Sequence, residues 1–328
     1  MAGSVVIGLS AVVIAILDGE AALLVVHPHP ALSALPSGPF DPIGTRTFEL
    51  ALRAFVTEQT GFDLGYVEQL YTFGDEGRDA PLADLGAAHD PDGDRIVSVG
   101  YLALAPNAEN TASRAGAEWS PWTRFFPWED WRRGRPALID DHIAPALRAW
   151  AGGGQRGEQR WARARLLFAL DGARWNEERV LDRYELLYEA GLAPEAERDR
   201  KRARGLDPPE PAGFHPGLGE PMASDHRRIL ATGLARMRGK LKYRPVVFEL
   251  MQGAFTLSAL QRTVEAIAGV ALHKQNFRRM VERTGLVEGL GKFDEETGGR
   301  PAELFRFRRE VLSAAPVSGL SLPRLSEG

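Results

Sequence analysis

Apolar and polar positions along this chain follow different rhythms in different stretches. Ser4 to Leu17 and Ala21 to His27 are β-branched and apolar almost throughout, with Asp18-Gly19 near the junction. Asp-Gly between two such runs is the composition of a tight hairpin turn, so two buried antiparallel strands are expected. The Pro-rich stretch His27 to Pro42 reads as a loop. From Thr47 to Thr60 the period changes, and Phe48, Ala51, Leu52, Phe55 and Val56 recur at the spacing of one helix face. Thr47 is placed to cap that helix and Gly61 to stop it. Leu64 to Phe73 and Arg95 to Leu104 return to strand, the second being the strongest strand pattern in the chain.

The middle of the chain is helical and aromatic. Asn107 to Trp131 carries Trp119, Trp122, Phe125, Phe126, Trp128 and Trp131, interrupted by Pro121 and Pro127. Such a cluster either stacks a base or staples two elements together, and packing is the favoured reading. Helices are expected over Pro136 to Trp150, Glu158 to Leu170 and Trp175 to Ala190. Gly152-Gly153-Gly154 between the first two lacks a following Lys-Ser/Thr, which makes it a hinge rather than a phosphate loop. Leu192 to Pro221 is polar and rich in Pro and Gly, an insertion or linker in which Glu195 to Arg204 can continue a helix. Met222 opens a further helix to about Leu241, with Ser224 or Asp225 available as its cap.

The last hundred residues have the clearest punctuation. A short apolar helix (Pro245 to Met251) precedes Gly253, Thr256 caps a helix from Leu257 to Ala268, and Gly269 turns the chain into a third helix from about Leu272. Gly285, Leu286-Val287-Glu288, a Gly-rich tip from Gly289 to Gly299 and the stretch Arg300 to Arg308 complete two strands and a loose loop. Two strands behind a basic helix predict a winged helix-turn-helix, an element that enters a DNA groove. Charge agrees: His226 to Leu312 holds 17 Lys/Arg against 9 Asp/Glu, a net of +8, so the remainder carries −12 of the overall −4. A basic end on an acidic body implies a polyanionic partner for that end.

Other classes are excluded. The chain has no cysteine, which rules out a disulfide framework and a Cys-based zinc site and fits the cytoplasm. The apolar start lacks a preceding Lys or Arg and is broken by Asp18-Gly19-Glu20, so neither a targeting segment nor a membrane span is expected. His27 and His29 lack a third ligand nearby, and no metal site is expected.

Two resemblances add to this. Leu35-Pro36-Ser37-Gly38, the loop to Gly44, the helix and Glu58-Gln59-Thr60-Gly61-Phe62 resemble a Nudix domain, whose helix presents glutamates to Mg²⁺ for diphosphate hydrolysis. That family's box runs G, five residues, E, seven residues, then R-E-U-x-E-E-x-G-U, with U aliphatic. Aligned back from Gly61, Ala54 stands at the Arg, Phe55 at the first helix Glu, Glu58 at the second and Gln59 at the last. The earlier Glu falls at Arg46, or at Thr45 with one extra loop residue. One carboxylate is kept, so the resemblance implies a nucleotide pocket that binds without cutting; the alternative is a Nudix-type hydrolase with a regulatory winged helix.

Ser-Asp-His-x-x-Ile-Leu, Lys-x-Tyr-Arg-Pro, Phe-Thr-Leu, His-Lys-Gln-Asn-Phe-Arg-Arg and Gly-Gly-Arg-Pro-Ala-x-Leu-Phe-Arg-Phe together resemble the Nudix-related transcriptional regulators of the NrtR group. The long insertion is more similar to the related NAD regulators of the NadQ group. The resemblance implies an α+β chain in which a Nudix-like α/β/α sandwich is followed by a winged helix-turn-helix. The expected divisions are a sensing domain over 1–221 with a helical insertion at about 136–221, a connecting helix over 222–243, a DNA-binding domain over 244–315 and a tail over 316–328. It also implies a dimeric repressor of NAD biosynthesis or salvage genes, needing no cofactor. A palindromic DNA operator and an effector such as ADP-ribose, NAD or a related adenine nucleotide are its expected partners.

For DNA contact the third helix and wing offer His273, Lys274, Gln275, Asn276, Arg278, Arg279, Arg283 and Arg300. Lys274, Gln275 and Arg278 suit base edges, Arg279 and Arg283 suit phosphates, and Asn276 has bracing of the helix start as its alternative role. Phe277 and Met280 should face the core. In the degenerate box, Arg46, Arg53 and Glu58 are the candidate ligand residues.

Overall fold

The computed structural model describes residues 5–29, 32–75, 78, 95–106, 116–206, 218–243, 246–251, 253–294 and 301–309. Its amino-terminal half is built on one mixed sheet. β1 (Val5–Leu17) turns into β2 (Glu20–His29) through a two-residue hairpin. Asp18 (φ 51°) and Gly19 (φ 79°) both lie in the left-handed region that a type I′ turn requires, which is why Asp-Gly stands there. β3 (Leu32–Ala34), β4 (Ser37–Pro39), β5 (Val67–Phe73), β6 (Arg95–Leu104) and β7 (Ala117–Pro121) complete it. The order is β3-β2-β1-β6-β5, with β4 on β1 and β7 on β2. β1 and β6 run parallel in continuous register from Val5↔Arg95 to Ile14↔Leu104.

Residues of β1 alternate between two cores, as a period of two demands. Leu9, Ala11, Val13 and Ala15 meet Ala51, Leu52 and Val56 of α1 (Phe48–Thr60) on one face. Val12 and Ile14 face Ile229, Leu230, Leu234 and Met237 of α6 (His226–Tyr243) on the other. α6 approaches closely because glycine stands at both contacts. A Cβ at Gly233 would lie 2.9 Å from a Val12 methyl, and one at Gly100 would lie 2.9 Å from Ile229. α6 is therefore one layer of the sandwich as well as the approach to the carboxy-terminal module.

On the α6 side lie α2 (Ala144–Ala151), α3 (Gly154–Phe168), α4 (Val180–Glu189) and α5 (Pro194–Arg202), with a π-turn over Ile139–Ile143 leading into α2. The aromatic segment packs as expected: Trp122, Phe125, Phe126 and Trp128 are buried in the same core as the sheet and α6.

Three expectations are corrected. The Pro-rich stretch contains β3 and β4, because its backbone pairs with β2 and β1 despite the prolines. The third insertion helix starts at Val180 rather than Trp175. The supposed linker carries α5, whose Glu195 is buried and accepts from the Met222 backbone (3.1 Å) while pairing with buried Arg227 (3.2 Å). The helix foreseen over Glu195 to Arg204 is present, but burial of its charges is compensated across a long sequence separation, which composition alone does not show.

The carboxy-terminal module comprises a 3₁₀ turn (Val246–Leu250), β8 (Phe255–Thr256), α7 (Leu257–Ala268), α8 (Lys274–Thr284), β9 (Val287–Asp294) and β10 (Ala302–Phe307). Its small sheet runs β8-β10-β9. Among the described residues no helix is long and apolar enough to cross a membrane.

Candidate nucleic-acid interface

The helix-turn-helix is fixed by local chemistry that begins at Thr256. Its hydroxyl accepts from the Ala259 amide (3.1 Å), so one orphan donor of α7 is satisfied. Gly269 (φ 69°) ends the helix in the left-handed conformation. The Glu265 carboxylate accepts from the Leu272 amide (2.7 Å) and from the Gln261 side chain (3.0 Å), while Gln261 donates to the Leu272 carbonyl (2.8 Å). Two side chains of α7 thus clamp the turn into α8.

Phe277 and Val281 bury one face of α8, and Met280 is half-buried beside them. His273, Lys274, Gln275, Asn276, Arg278, Arg279 and Arg283 are all exposed. Asn276 accepts from Arg279 at 3.5 Å, and no side chain caps the start of α8. Among the described residues, the side chains of Lys274, Gln275, Arg278 and Arg283 have no protein hydrogen-bond or ion-pair partner. Lys274 and Arg278, four residues apart on α8, set two such cations side by side, the electrostatic footprint of a polyanion site. Arg300 lies outside the described residues.

A groove of about 940 Å³ runs between α7, α8 and the wing. Lys274 and Arg278 line it together with Arg262 of α7, which sequence reasoning missed. The available signal was position: Ser258 and Arg262 are four residues apart, hence on one face of α7. Asp294 and Glu303 line the groove from the wing side. Phe248 stacks on Phe307 at 4.2 Å, tying the 3₁₀ turn to the wing.

The box-like helix is equally well defined. Thr47 accepts from the Leu50 amide (3.2 Å), and Gly61 (φ 78°) donates to the Thr57 carbonyl (2.9 Å). Arg46 and Glu58 are exposed near opposite ends of α1, roughly 18 Å apart along its axis at 1.5 Å per residue. Arg53 donates to Glu49 (2.9 Å) and to the carbonyls of Leu64 and Gly65. The three candidate ligand residues are thus spread along α1 rather than brought to one point, and Arg53 is held by its own protein.

Two residues that the expected alignment sets at glutamate positions, Phe55 and Gln59, make packing contacts here. Phe55 covers Gly38, where a Cβ would stand 3.3 Å from the ring. The Gln59 amide pairs with the backbone of Ser37 in both directions, accepting from its N–H (3.2 Å) and donating to its carbonyl (2.7 Å). The loop so held is gripped from behind by α6. Ala223 N–H donates to Ser33 O (2.9 Å), and Leu35 N–H donates to His226 Nδ1 (3.1 Å). Burial, with Arg198 adding to it, pushes His226 down to about 3, so the ring is neutral and Nδ1 is free to accept. Burial pushes neighbouring Asp225 up to about 7, against the lowering influence of Arg228 and Arg78. Among the described residues no group of three His, Asp or Glu is placed to hold a metal ion.

A sheet domain with helices on both faces, followed by a winged helix with exposed cations on its second helix, defines an α+β class of two-part chain. The carboxy-terminal module is more specific: residues 247–307 match the family model described as the NrtR DNA-binding winged helix domain. A curated relative from Acinetobacter baylyi, the "ADPR responsive transcriptional repressor NtrR", is 38% identical over 86 residues. That stretch covers 26% of this chain and 34% of the relative, so the match spans about a third of the relative's length.

The whole-chain fold is matched by Shewanella oneidensis NrtR complexed with a 27mer DNA. Its TM-score is 0.52 at 19% identity, covering 97% of this chain and 99% of that one. Shewanella oneidensis NrtR is matched again in a second structure at TM-score 0.51 and 21% identity, over 92% of this chain and 94% of that one. The expected fold class, a Nudix-like domain followed by a winged helix-turn-helix, is therefore correct.

Proposed function

We propose that this chain is a DNA-binding transcriptional repressor whose Nudix-like domain senses a nucleotide. The observation carrying this reading is the exposed face of α8, where Lys274, Gln275, Arg278 and Arg283 lack protein partners among the described residues, on a helix whose opposite face is buried. The matched winged-helix model and the whole-chain likeness to a DNA-bound regulator support it. Lys274, Gln275 and Arg278 read base edges, and Arg279, Arg283, His273 and Arg300 hold backbone. The protein acts in the cytoplasm as a homodimer on a palindromic operator controlling NAD biosynthesis or salvage genes.

ADP-ribose, NAD or a related adenine nucleotide is the effector, bound near α1 without hydrolysis and without a required cofactor. Phe55 and Gln59 support that last point, since both are spent on packing the Ser37-Gly38 loop. The first test is an electrophoretic shift with duplex DNA enriched by the protein from a randomised pool. The complex should weaken steeply with salt and disappear in Lys274→Ala with Arg278→Ala. Undiminished binding by that variant would remove α8 from the interface. In a thermal-shift screen of ADP-ribose, NAD, ATP and nicotinamide mononucleotide, an effector at about 100 times its Kd should stabilise by about 2.7 kcal/mol. Mg²⁺-dependent cleavage of ADP-ribose, lost in Glu58→Gln, would instead establish a hydrolase.

A further inference from the structure

The helix-turn-helix is suspended from the sheet domain by the carbonyl end of α7. Trp122 Nε1 donates to Ala266 O (3.0 Å), Arg238 Nε donates to Ile267 O (3.0 Å), and the Trp131 amide donates to Gly269 O (2.6 Å). Val270 continues the contact as a parallel bridge to Trp131. These attachments fall on the residues that enter the turn, just before α8 begins. Because Gln261 and Glu265 clamp that turn, whatever orients the end of α7 also orients α8.

Arg238 belongs to α6, and Glu129 does not depend on it alone for a partner. Glu129 is wholly buried, and Arg183 alone engages both of its carboxylate oxygens, through Nε to Oε1 (2.5 Å) and Nη2 to Oε2 (2.8 Å). Arg238 adds a second guanidinium, also fully buried, through Nη1 to Oε2 (2.6 Å) and to the Glu177 carbonyl (3.0 Å). Its Nη2 has no partner among the described residues. Two cations on one anion, one of them incompletely hydrogen-bonded, is a poor arrangement for stability, since buried charge must recover a large desolvation cost. Toward the helix-turn-helix, Arg238 supplies the bond to Ile267 O, with its guanidinium over the Trp122 ring at 5.0 Å.

We infer that Arg238 and Trp122 are positioning residues for operator recognition: they fix the angle at which α7 and α8 leave the sheet domain, and so set which separation of two half-sites a dimer accepts. This rests on the DNA-binding, dimeric reading above. A palindromic site is read by two modules at a fixed spacing, so the orientation of each module on its own body becomes part of sequence recognition. Loosening that orientation leaves each recognition helix competent and blurs the spacing.

The test uses the full chain and three duplexes built from the half-site that the wild type enriches from a randomised pool. One carries a single half-site, one the enriched spacing, and one the same pair with five base pairs inserted. Arg238→Met keeps length and volume and leaves Glu129 paired with Arg183; Trp122→Phe keeps the ring and removes the donor. The wild type should prefer the enriched spacing over the inserted one by at least about thirtyfold. Both variants should bind the single half-site within about twofold of the wild type and lose most of the spacing preference, to below about fivefold. Variants that keep the full preference would overturn the positioning role. Variants that lose half-site binding as well would also overturn it, by making these residues supports of the module itself. A wild type that binds none of the pool would refute the DNA-binding reading, and one that binds without any spacing preference would refute the dimeric one.

Discussion

Replacing Asp225 by Asn should expose a pH dependence that the wild-type protein hides. Asp225 and His226 are adjacent, nearly or wholly buried, and displaced in opposite senses. Asp225 goes from 3.8 up to about 7, and His226 goes from 6.5 down to about 3. Below pH 7 folded Asp225 binds a proton that the unfolded chain does not take until near 3.8, so its contribution to stability rises as pH falls through that window. His226 does the reverse: the unfolded imidazole charges below 6.5 while the folded ring stays neutral, and stability is lost as pH falls toward 3. Between pH 7.5 and 5.5 linkage gives a gain on the order of 2 kcal/mol from Asp225 and a loss on the order of 1 kcal/mol from His226. The two contributions oppose each other.

In Asp225→Asn only the His226 loss remains, so its stability relative to the wild type should fall by on the order of 2 kcal/mol over that interval. His226→Gln should show the opposite trend, gaining on the order of 1 kcal/mol relative to the wild type. Urea unfolding followed by tryptophan fluorescence at the two pH values measures both. Other titrating groups are common to all three proteins and drop out of the differences. If the gap between Asp225→Asn and the wild type is the same at pH 7.5 and 5.5, the buried acid does not titrate in this range and the reasoning fails.

Other outcomes follow from packing. Phe277→Ala removes a fully buried ring between α8 and the core and should cost about 3–5 kcal/mol, read as a lower denaturation midpoint. Gly233→Ala would force α6 off Val12 and should destabilise by about 1–3 kcal/mol, whereas Gly239→Ala, whose nearest neighbour stands at ordinary contact distance, should be neutral or stabilising. Gln59→Glu trades the donor that reaches Ser37 O for a second acceptor; a loss of about 1–3 kcal/mol is expected at neutral pH, and an unchanged midpoint would show that the loop is held elsewhere.

Local signals carried the reading where local chemistry decides the structure. Thr47 and Gly61 bound α1, Asp18-Gly19 makes the hairpin, and Thr256 and Gly269 bound α7, because each cap or turn is settled within four residues. The aromatic segment was legible as packing but not in its role, since Trp122 meets a carbonyl 144 residues away. Glu129, Arg183, Glu195, Arg227 and Arg238 carry no mark of burial in the sequence, and the fold buries all five. Their partners lie far along the chain, so no hydropathy pattern distinguishes them from solvated residues. The same limit governs the candidate ligand residues: Arg53 looks available in the sequence, yet the carbonyls of Leu64 and Gly65 hold it.

The amide clamp between Gln59 and Ser37 has a consequence for how such a chain can change over generations. A change to carboxylates at positions 55 and 59 meets a barrier at each step taken alone. Gln59→Glu would set an anion against the Ser37 carbonyl, and Phe55→Glu would uncover Gly38. Either substitution breaks a contact and makes none in exchange. The packing of the Ser37-Gly38 loop therefore resists a carboxylate at either position when the changes come one at a time.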